Sequence, residues 1–531
     1  MKKRIFTGVL LSSVLLGVLT GCGGGDSSGG KTKDGKTQLK AIVVKHGLTK
    51  KNKDIEWLQK LEDELDVEIK WEEVSADWDQ KKAPMLASGD VPDMILGNNV
   101  VSDSEFAKFP GLFEDLSDDL DKLPNVKKMF EEKPQTKSLA TQLDDKIYGI
   151  PKYQRFWPRS ASRQYINQDW LKNVGMEEPT TWDELYDVLV AFKEQDANGN
   201  GDPNDEIPMD WSPVGTGGFG YFQPMQLLGS TGIVVSEGGN SGYVAEDGKV
   251  FNFFVDDRYK EVVEFLNKCW SAGLINSKAF SQDYSAYQST GRGDGDIAKV
   301  GFSWGWEASD RFGVKLQDQY LSIAPLKVST DGVEPTWSYE TSLNYGVNCA
   351  VISAQSANKE KALEFVNALY DPEVSLQELF GSIGPNIEKD GDTYKILPPK
   401  DEAMDPGTWK WTSSWADNSP MYISDDLKVD LGSDMKANEE QTKVLEPYLD
   451  KIVPEKQVVP WNMMKFTNED ATTLANNNTT LMNEAMTKFA KWVTKGGIDK
   501  EWNQYVETMK KGGLEQNVEI VQKGFDQFYG N

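Results

Sequence analysis

Within residues 39–71, the spacing of the apolar residues changes from that of a strand to that of a helix and back to that of a strand. This order limits the folds that the chain can adopt. Residues 39–44 are a short apolar run that suits a buried strand, and the apolar residues at positions 57, 58, 61 and 65 then follow a helical spacing. Val67, Ile69 and Trp71 alternate with charged residues, which predicts a second strand. Because a strand, a helix and a strand within about 35 residues form a crossover unit, the sequence predicts a parallel sheet and an α/β fold.

The remainder of the chain continues the α/β pattern. A second α/β region begins near Tyr153, and Thr181 with Glu184 fits a capping box at the start of an amphipathic helix. Residues 345–352 are again strand-like, and residues 362–369 predict a helix. The last stretch of about one hundred residues is mainly helical in pattern. With 531 residues, the chain has room for about three domains or two large lobes.

The charge and histidine content exclude several classes of function. The chain carries 84 acidic and 57 basic residues, a formal net charge of −27, which repels phosphate backbones, so we expect no nucleic-acid partner. It has one histidine, His46. A metal site with two histidines is therefore excluded, and a Ser-His-Asp triad would have to use His46. Most familiar hydrolase and metal chemistry is therefore disfavoured.

The N-terminus has the organisation of an export signal. Lys2, Lys3 and Arg4 precede a short apolar segment over residues 5–18, too short to span a membrane, and residues 19–22 read Leu-Thr-Gly-Cys. This end resembles the lipobox of bacterial lipoproteins, which implies cleavage after residue 21 and lipidation of Cys22; an ordinary signal with an incidental cysteine is the alternative. Residues 22–36 would then be a flexible tether, and the lipid would hold the protein on the outer face of the cell membrane.

Two further cysteines, Cys269 and Cys349, lie in the body of the chain. An exported protein can form disulfides, but spacing does not decide whether these two pair. Cys269 lies in an apolar helical pattern, so we expect two buried free thiols rather than a disulfide.

Four sequence stretches resemble motifs of one protein family. Residues 87–95 read ASGDVPDMI, residues 145–151 read DKIYGIP, and residues 167–182 contain NQDWL followed by PTTW. Residues 502–514 resemble the family's closing helix. In this order, behind a lipobox, the chain resembles the family 1 extracellular solute-binding lipoproteins of bacterial ABC sugar importers. The nearest group within that family includes the binders of alginate oligosaccharides. Asp144-Asp145 and Asn167 depart from the usual Asp-Gly and Arg of these motifs.

The resemblance implies a two-lobe, type II periplasmic-binding-protein-like α/β fold with the ligand in a cleft between the lobes. The N-lobe would comprise residues 37–152 and about 345–400, and the C-lobe about 153–344 and 401–531, with a last crossing around 385–410. The protein would be a monomer that captures an oligosaccharide, closes around it and delivers it to an ABC permease. Closure requires that the sugar bind the closed state better than the open one.

Residues 196–206 form the sharpest chemical motif. Oxygen-bearing side chains at positions 1, 3 and 5 with Gly201 at position 6 match the start of an EF-hand loop, although position 12 is Ile207 rather than Glu. In the family that the chain resembles, a similar loop holds a structural calcium and an Asp-Glu pair closes the site. A polar loop without metal is the alternative. The candidate ligands are Asp196, Asn198, Asn200, Asp202 (through its carbonyl), Asp205 and Glu206.

Aromatic residues without helical or strand periodicity are the candidates for sugar binding, because sugars combine apolar faces with many hydroxyls. We expect at least two of Trp157, Trp304, Trp306 and Trp415 to stack on the ligand, although packing is the alternative for any single tryptophan. The small number of arginines near these clusters favours a neutral oligosaccharide over a polyanionic one. The full candidate set is Tyr153, Arg155, Trp157, Trp211, Trp304, Trp306, Trp337 and Trp415.

Two other functions are compatible with the sequence. A lipid-anchored adhesin or sensory accessory protein would bind a protein partner and no free sugar. A surface glycoside hydrolase or lyase would need two carboxylates about 5–10 Å apart, which a sequence does not reveal. An eightfold βα repeat is not visible, and we predict that the chain is not an enzyme.

Overall fold

A computed structural model describes residues 31–530, with the exception of Lys33, Pro203, Thr216, Glu402, Ala403 and Asp405. The predicted signal segment and Cys22 lie outside the described residues. Among the helices that are described, none combines the length and the apolar character needed to cross a bilayer.

The described residues form 14 strands. In chain order they are β1 (Thr37–Val44), β2 (Val67–Val74), β3 (Met94–Leu96), β4 (Gly149–Tyr153), β5 (Arg163–Asn167), β6 (Ile207–Asp210), β7 (Tyr243–Glu246), β8 (Lys249–Asn252), β9 (Val300–Gly305), β10 (Tyr320–Ser322), β11 (Tyr345–Ile352), β12 (Ile387–Asp390), β13 (Thr393–Ile396) and β14 (Lys428–Asp430).

The same residues form 19 α-helices. They are α1 (Glu56–Glu64), α2 (Trp78–Ser88), α3 (Asp103–Lys108), α4 (Pro124–Glu132), α5 (Pro134–Ala140), α6 (Gln168–Val174), α7 (Trp182–Glu194), α8 (Asp257–Ser271), α9 (Tyr284–Gly291), α10 (Ala308–Phe312), α11 (Lys359–Leu369), α12 (Pro372–Phe380), α13 (Pro406–Ser413), α14 (Ser433–Thr442), α15 (Glu446–Leu449), α16 (Pro454–Gln457), α17 (Asn468–Lys495), α18 (Ile498–Lys511) and α19 (Leu514–Tyr529).

The first lobe is built on a five-stranded sheet of order β2-β1-β3-β11-β4. The predicted crossover unit is confirmed: β1 and β2 pair in parallel with Leu39 opposite Ile69, and α1 connects them. The side chains of Val67 and Ile69 are buried, whereas Glu68 and Lys70 between them are exposed. Strand β11 returns from a distant part of the chain and pairs antiparallel with both β3 and β4.

The second lobe contains a four-stranded sheet of order β10-β5-β9-β6. Its helix α7 begins at the predicted capping box, since Thr181 Oγ1 accepts from Glu184 N at 3.2 Å and Thr181 N donates to the Glu184 carboxylate at 3.2 Å. Helices α17 and α18 pack into the same core as the sheet, through residues such as Phe489 of α17 and Trp502 of α18. The predicted mixed α/β class is confirmed.

Residues 406–431 differ from the predicted lobe assignment. Trp415 lies in the core of the first lobe, with its ring 5.2 Å from Trp57 and 5.6 Å from Trp71. Backbone hydrogen bonds also tie Tyr153 to Met421 and Ile423. These contacts place the segment with the first lobe, so the last passage into the second lobe occurs between β14 and α14, not around residues 385–410.

Candidate functional site

A cavity of 860 Å³ opens between the two lobes. The loop after β9 and helix α10 supply Trp306, Glu307, Ser309 and Asp310 from the second lobe. Across the cavity, α13 and the turn after it supply Lys410, Trp411 and Asp417 from the segment that packs on the first lobe, and Trp157 projects from the passage between β4 and β5. This volume lies within the range of about 300–1,000 Å³ that is typical of small-molecule sites.

Trp157 is fixed at both its backbone and its ring. Its backbone N–H donates to Asn344 Oδ1 at 2.9 Å, and its carbonyl accepts from Asn344 Nδ2 at 3.0 Å. The indole Nε1 donates to Asp417 Oδ1 at 3.0 Å, and Lys410 Nζ lies 4.3 Å from the ring centroid. These contacts hold the half-buried indole in one orientation.

Asp417 joins three neighbouring groups beside this ring. Its carboxylate accepts from Lys410 Nζ at 2.8 Å and from Gln154 Nε2 at 3.2 Å, in addition to Trp157, and its backbone carbonyl accepts from Lys152 Nζ. Burial disfavours the charged carboxylate, but the charges of Lys410 and Lys152 outweigh it and hold the pKa of Asp417 below its ordinary value. Asp417 therefore stays ionised at neutral pH.

Trp306 meets Trp157 almost at a right angle. The ring centroids are 5.5 Å apart with an interplanar angle of 79°. The buried Arg163 side chain donates to the Trp306 carbonyl at 2.6 Å, and its guanidinium lies 5.3 Å from the Trp306 ring. The same guanidinium bonds Asn438 Oδ1 at 2.9 Å, which ties Trp306 to α14. The two tryptophans thus form an aromatic corner supported from different lobes.

Of the predicted sugar-binding residues, the structure brings only Trp157 and Trp306 to the cavity. Four other candidate tryptophans are buried in the cores of the lobes, at most 1% exposed, and so offer no face to a ligand in this conformation. Their packing partners explain their burial: Trp211 packs on Phe280, Trp304 packs on Phe302, Trp337 Nε1 donates to Ser162 O at 2.8 Å, and Trp415 Nε1 donates to Asn52 Oδ1 at 3.0 Å.

Tyr153 and Arg155 also lie away from this cavity. The Tyr153 hydroxyl donates to Asp425 Oδ1 at 3.0 Å, and its buried ring packs 5.2 Å from Tyr345. Arg155 donates to the backbone carbonyl of Asp425 at 2.9 Å and lines a smaller cavity that Trp157 also borders.

The sequence-based set omits several residues of the site. Lys410, Glu307, Ser309 and Asp310 line the cavity but were not among the candidates. Lys410 stands between two tryptophans in the sequence, and the other three lie within four residues after Trp306, so proximity to an aromatic cluster is the signal that could have found them. His46 also approaches the site, with its ring 4.6 Å from Trp411.

The candidate calcium loop folds into a compact set of oxygen atoms. The Asp196 carboxylate accepts from the backbone N–H groups of Asn200 and Gly201 at 3.0 and 2.8 Å. The Asp205 carboxylate accepts from the amides of Asn198 and Asn200 at 2.8 and 2.9 Å. Gly201 has a φ of 91°, the left-handed conformation that a glycine at position 6 supplies.

Glu206 gives this loop the character of a cation site. Its Oε2 is buried and has no hydrogen-bond partner among the described residues. Burial, followed by the nearby charges of Asp205 and Asp196, raises the pKa of Glu206 above its ordinary value. Within the described chain, no three His, Cys, Asp or Glu side chains converge as a metal site by themselves. Because Asn198 and Asn200 add amide oxygens, the donor set fits calcium, a hard cation that prefers oxygen ligands.

The two cysteines of the described chain are free and buried, as the sequence predicts. Burial raises the pKa of Cys269 to about 12 and that of Cys349 to about 11, so neither thiol is reactive in the native state.

Comparison with known proteins agrees with this architecture. The fructooligosaccharide ABC transporter substrate-binding protein FusA of Streptococcus pneumoniae is 29% identical over 497 residues, which cover 89% of this chain and 87% of FusA. FusA in complex with kestose superposes with a TM-score of 0.79 at 28% identity, covering 93% of this chain and 100% of FusA. An EF-hand mutant of FusA has also been solved.

A second group of solved structures has the same fold. A human-milk-oligosaccharide (HMO) binding, ABC-transporter-associated solute-binding protein from Bifidobacterium longum infantis has a TM-score of 0.86 at 36% identity, covering 93% of this chain and 99% of its own. Alginate-binding AlgQ2, at 18% identity and a TM-score of 0.65, covers 92% of this chain and 98% of its own and is similar in fold alone. These neighbours confirm the predicted solute-binding-protein fold.

The family match covers most of the chain. The model of the bacterial extracellular solute-binding proteins matches residues 33–375. This is a family of binding proteins rather than of enzymes, in agreement with the prediction from the sequence. The chain therefore belongs to the bacterial extracellular solute-binding proteins.

Proposed function

We propose that this protein captures a neutral oligosaccharide in the cavity between its lobes. The aromatic corner of Trp157 and Trp306 carries the proposal, because two fixed indoles at 79° offer apolar faces to two sides of a sugar. Lys410 and Asp417 beside the corner supply donors and acceptors for hydroxyl groups.

The charges around the cavity favour a neutral ligand. Among the described residues that line it, the cations Arg292, Lys315 and Lys410 are matched by the anions Glu307, Asp310 and Asp417. Lys410 is already paired with Asp417 at 2.8 Å, so no surplus of positive charge is available for a polyanionic sugar. FusA with kestose and the milk-oligosaccharide binder support an oligosaccharide as the ligand.

We further infer that the protein is a lipid-anchored monomer that delivers its ligand to an ABC permease. The basic N-terminus, the short apolar segment and Cys22 support export and lipidation. The relatives that are ABC-transporter substrate-binding proteins support delivery to a permease. The proposed lobe boundaries are those predicted from the sequence, except that residues 406–431 belong to the first lobe.

Ligand-dependent thermal unfolding tests the oligosaccharide proposal. Residues 37–531 are heated with fructo-, xylo-, manno- and milk oligosaccharides, each in excess. A ligand at 100 times its Kd adds about 2.7 kcal/mol to native-state stability, so a binder raises the midpoint. Trp157→Ala and Trp306→Ala should abolish that rise. Trp78→Ala serves as the matched control, because Trp78 is a partly buried tryptophan outside the cavity.

A midpoint that no oligosaccharide moves would reject the proposal and favour the adhesin or sensor function. A midpoint that moves equally in the Trp157→Ala and Trp306→Ala variants would keep sugar binding but move the site elsewhere. Product formation from any of the sugars would instead indicate a hydrolase.

We also propose that residues 196–206 bind a structural calcium. Asp196, Asn198, Asn200, Asp205 and Glu206 would hold the ion, with Asp202 contributing its carbonyl. The buried, unpartnered Glu206 oxygen supports this proposal, because a cation would neutralise it. A chelator should lower the unfolding midpoint of the wild type and leave that of Glu206→Gln unchanged, whereas Glu177→Gln, a carboxylate outside the loop, should respond like the wild type. Equal midpoints with calcium and with chelator in the wild type would contradict the proposal.

A further inference from the structure

A second cavity, of 360 Å³, lies against Trp157 and next to the main cavity. Trp157 and Asn438 line both spaces, so the two cavities adjoin at these residues. We call the smaller space the rear chamber; it is bounded by residues 155–159 of the first passage between the lobes, by Val429 and Leu431, and by α14 and α15 of the second lobe. It is therefore a continuation of the cleft rather than a separate surface pocket.

The walls of the rear chamber have the composition of a sugar site. Phe156, Pro158 and Leu431 provide apolar surface, and Leu449 closes the floor. Polar groups stand around this apolar patch: Arg155, Arg159, Asn438, Glu439, Thr442 and Glu446. Apolar faces with polar groups around them match the CH faces and hydroxyls of a sugar ring.

The charges of the rear chamber again favour a neutral group. Arg155 is engaged by the backbone carbonyls of Asp425 and Leu427, and Arg159 is paired with Asp450 at 2.7 Å. Glu439 and Glu446 are exposed at the rim and balance the two arginines. The lining of the chamber thus offers an acidic sugar no net positive charge.

We propose that the rear chamber is a second sugar subsite, so that the ligand continues from the main cavity past Trp157 into the rear chamber. The proposal rests on the oligosaccharide function proposed above and deepens it. A second subsite would make the protein select its ligand by length or branching. A short oligosaccharide fills the main cavity alone, and a longer or branched one also gains the contacts of the rear chamber.

The experiment blocks the rear chamber and compares ligands of different length. Val429→Trp fills it, and Leu431→Phe is the smaller change in case the first variant fails to fold. Val333→Trp is the matched control, because Val333 is 63% exposed and lines neither cavity. The probes are linear fructo-, xylo- and manno-oligosaccharides of two to eight units and branched milk oligosaccharides, with affinities measured by titration calorimetry.

The expected result is a fall of about tenfold in the ratio of long-ligand to short-ligand affinity in Val429→Trp, with the wild-type ratio kept in Val333→Trp. An unchanged ratio together with unchanged affinities would show that the rear chamber stays empty and would overturn the subsite. An equal loss for short and long ligands would overturn it too, because the chamber would then be a space needed for lobe closure. If no oligosaccharide bound the wild type, the proposed function itself would fail.

Discussion

The ion pair between Arg311 and Asp210 lies directly beneath the second-lobe wall of the cleft. The two side chains are fully buried and 2.8 Å apart. Arg311 also donates to Tyr287 O at 2.6 Å and to Ser303 Oγ at 3.1 Å, and its guanidinium lies 3.6 Å from the Tyr287 ring centroid. Asp210 accepts in addition from Asn276 at 3.0 Å. The Asp210 carboxylate is therefore the group that balances the charge of Arg311 in this buried network.

Replacing Asp210 by Asn removes the negative charge and keeps the size of the side chain. The guanidinium of Arg311 is then a buried, uncompensated charge, and breaking such a pair costs about 3–5 kcal/mol. This is a large fraction of the roughly 5–15 kcal/mol that stabilises a folded domain. We therefore expect a markedly lower urea midpoint for Asp210→Asn, followed by both circular dichroism and tryptophan fluorescence.

The control is an exposed pair on the other lobe. Lys81 and Glu72 also form a salt bridge, but their side chains are 41% and 52% exposed. Glu72→Gln should cost at most about 1 kcal/mol. If Asp210→Asn cost no more than this control, the reasoning from burial would be refuted. Because α10 carries both Arg311 and the cavity residues Ser309 and Asp310, Asp210→Asn should also weaken sugar binding.

Three further predictions concern titratable groups. Burial raises the pKa of Glu378 well above its ordinary value, and neither of its side-chain oxygens has a hydrogen-bond partner among the described residues. Because the folded protein favours the protonated form, stability is lost as the pH rises above the ordinary pKa of a glutamate. Glu378→Gln should therefore raise the urea midpoint at pH 8 and leave it unchanged at pH 4. The pKa of Asp417 is lowered, so its contribution to stability is present above its ordinary pKa and is lost as the pH falls through the lowered value. Asp417→Asn should therefore lower the urea midpoint at pH 7, and the difference from the wild type should shrink as the pH is lowered below the ordinary range of an aspartate. Cys269 and Cys349 should react with a thiol reagent in urea and not in native buffer, as followed by absorbance.

Local signals in the sequence predict the elements of the fold because the interactions that form them are local. The capping box of Thr181 and Glu184 acts across three residues, and the alternation of Val67 and Ile69 with charged residues needs only one strand. The return of β11 to the first sheet has no local signal. It follows here from the family resemblance, not from the periodicity of the sequence.

The cavity shows why aromatic clusters alone do not define a site. Trp304 and Trp306 are two residues apart, a spacing that would put both on one face of a continuing strand. Strand β9 ends at Gly305, so Trp304 stays in the core and Trp306 turns to the cavity. The hydrogen bond between Trp157 and Asp417 joins residues that are 260 positions apart, and no pattern in the sequence predicts it.

The supports of the two cavity tryptophans come from different lobes. Trp157 is tied through Asp417 to the segment that packs on the first lobe, whereas Trp306 is tied through Arg163 to α14 of the second lobe. Rotation of one lobe against the other must therefore change the angle between the two indoles. A sugar that contacts both rings binds best at one angle and favours the conformation that provides it. Under the proposed function, the same two side chains would recognise the ligand and couple its binding to the angle between the lobes.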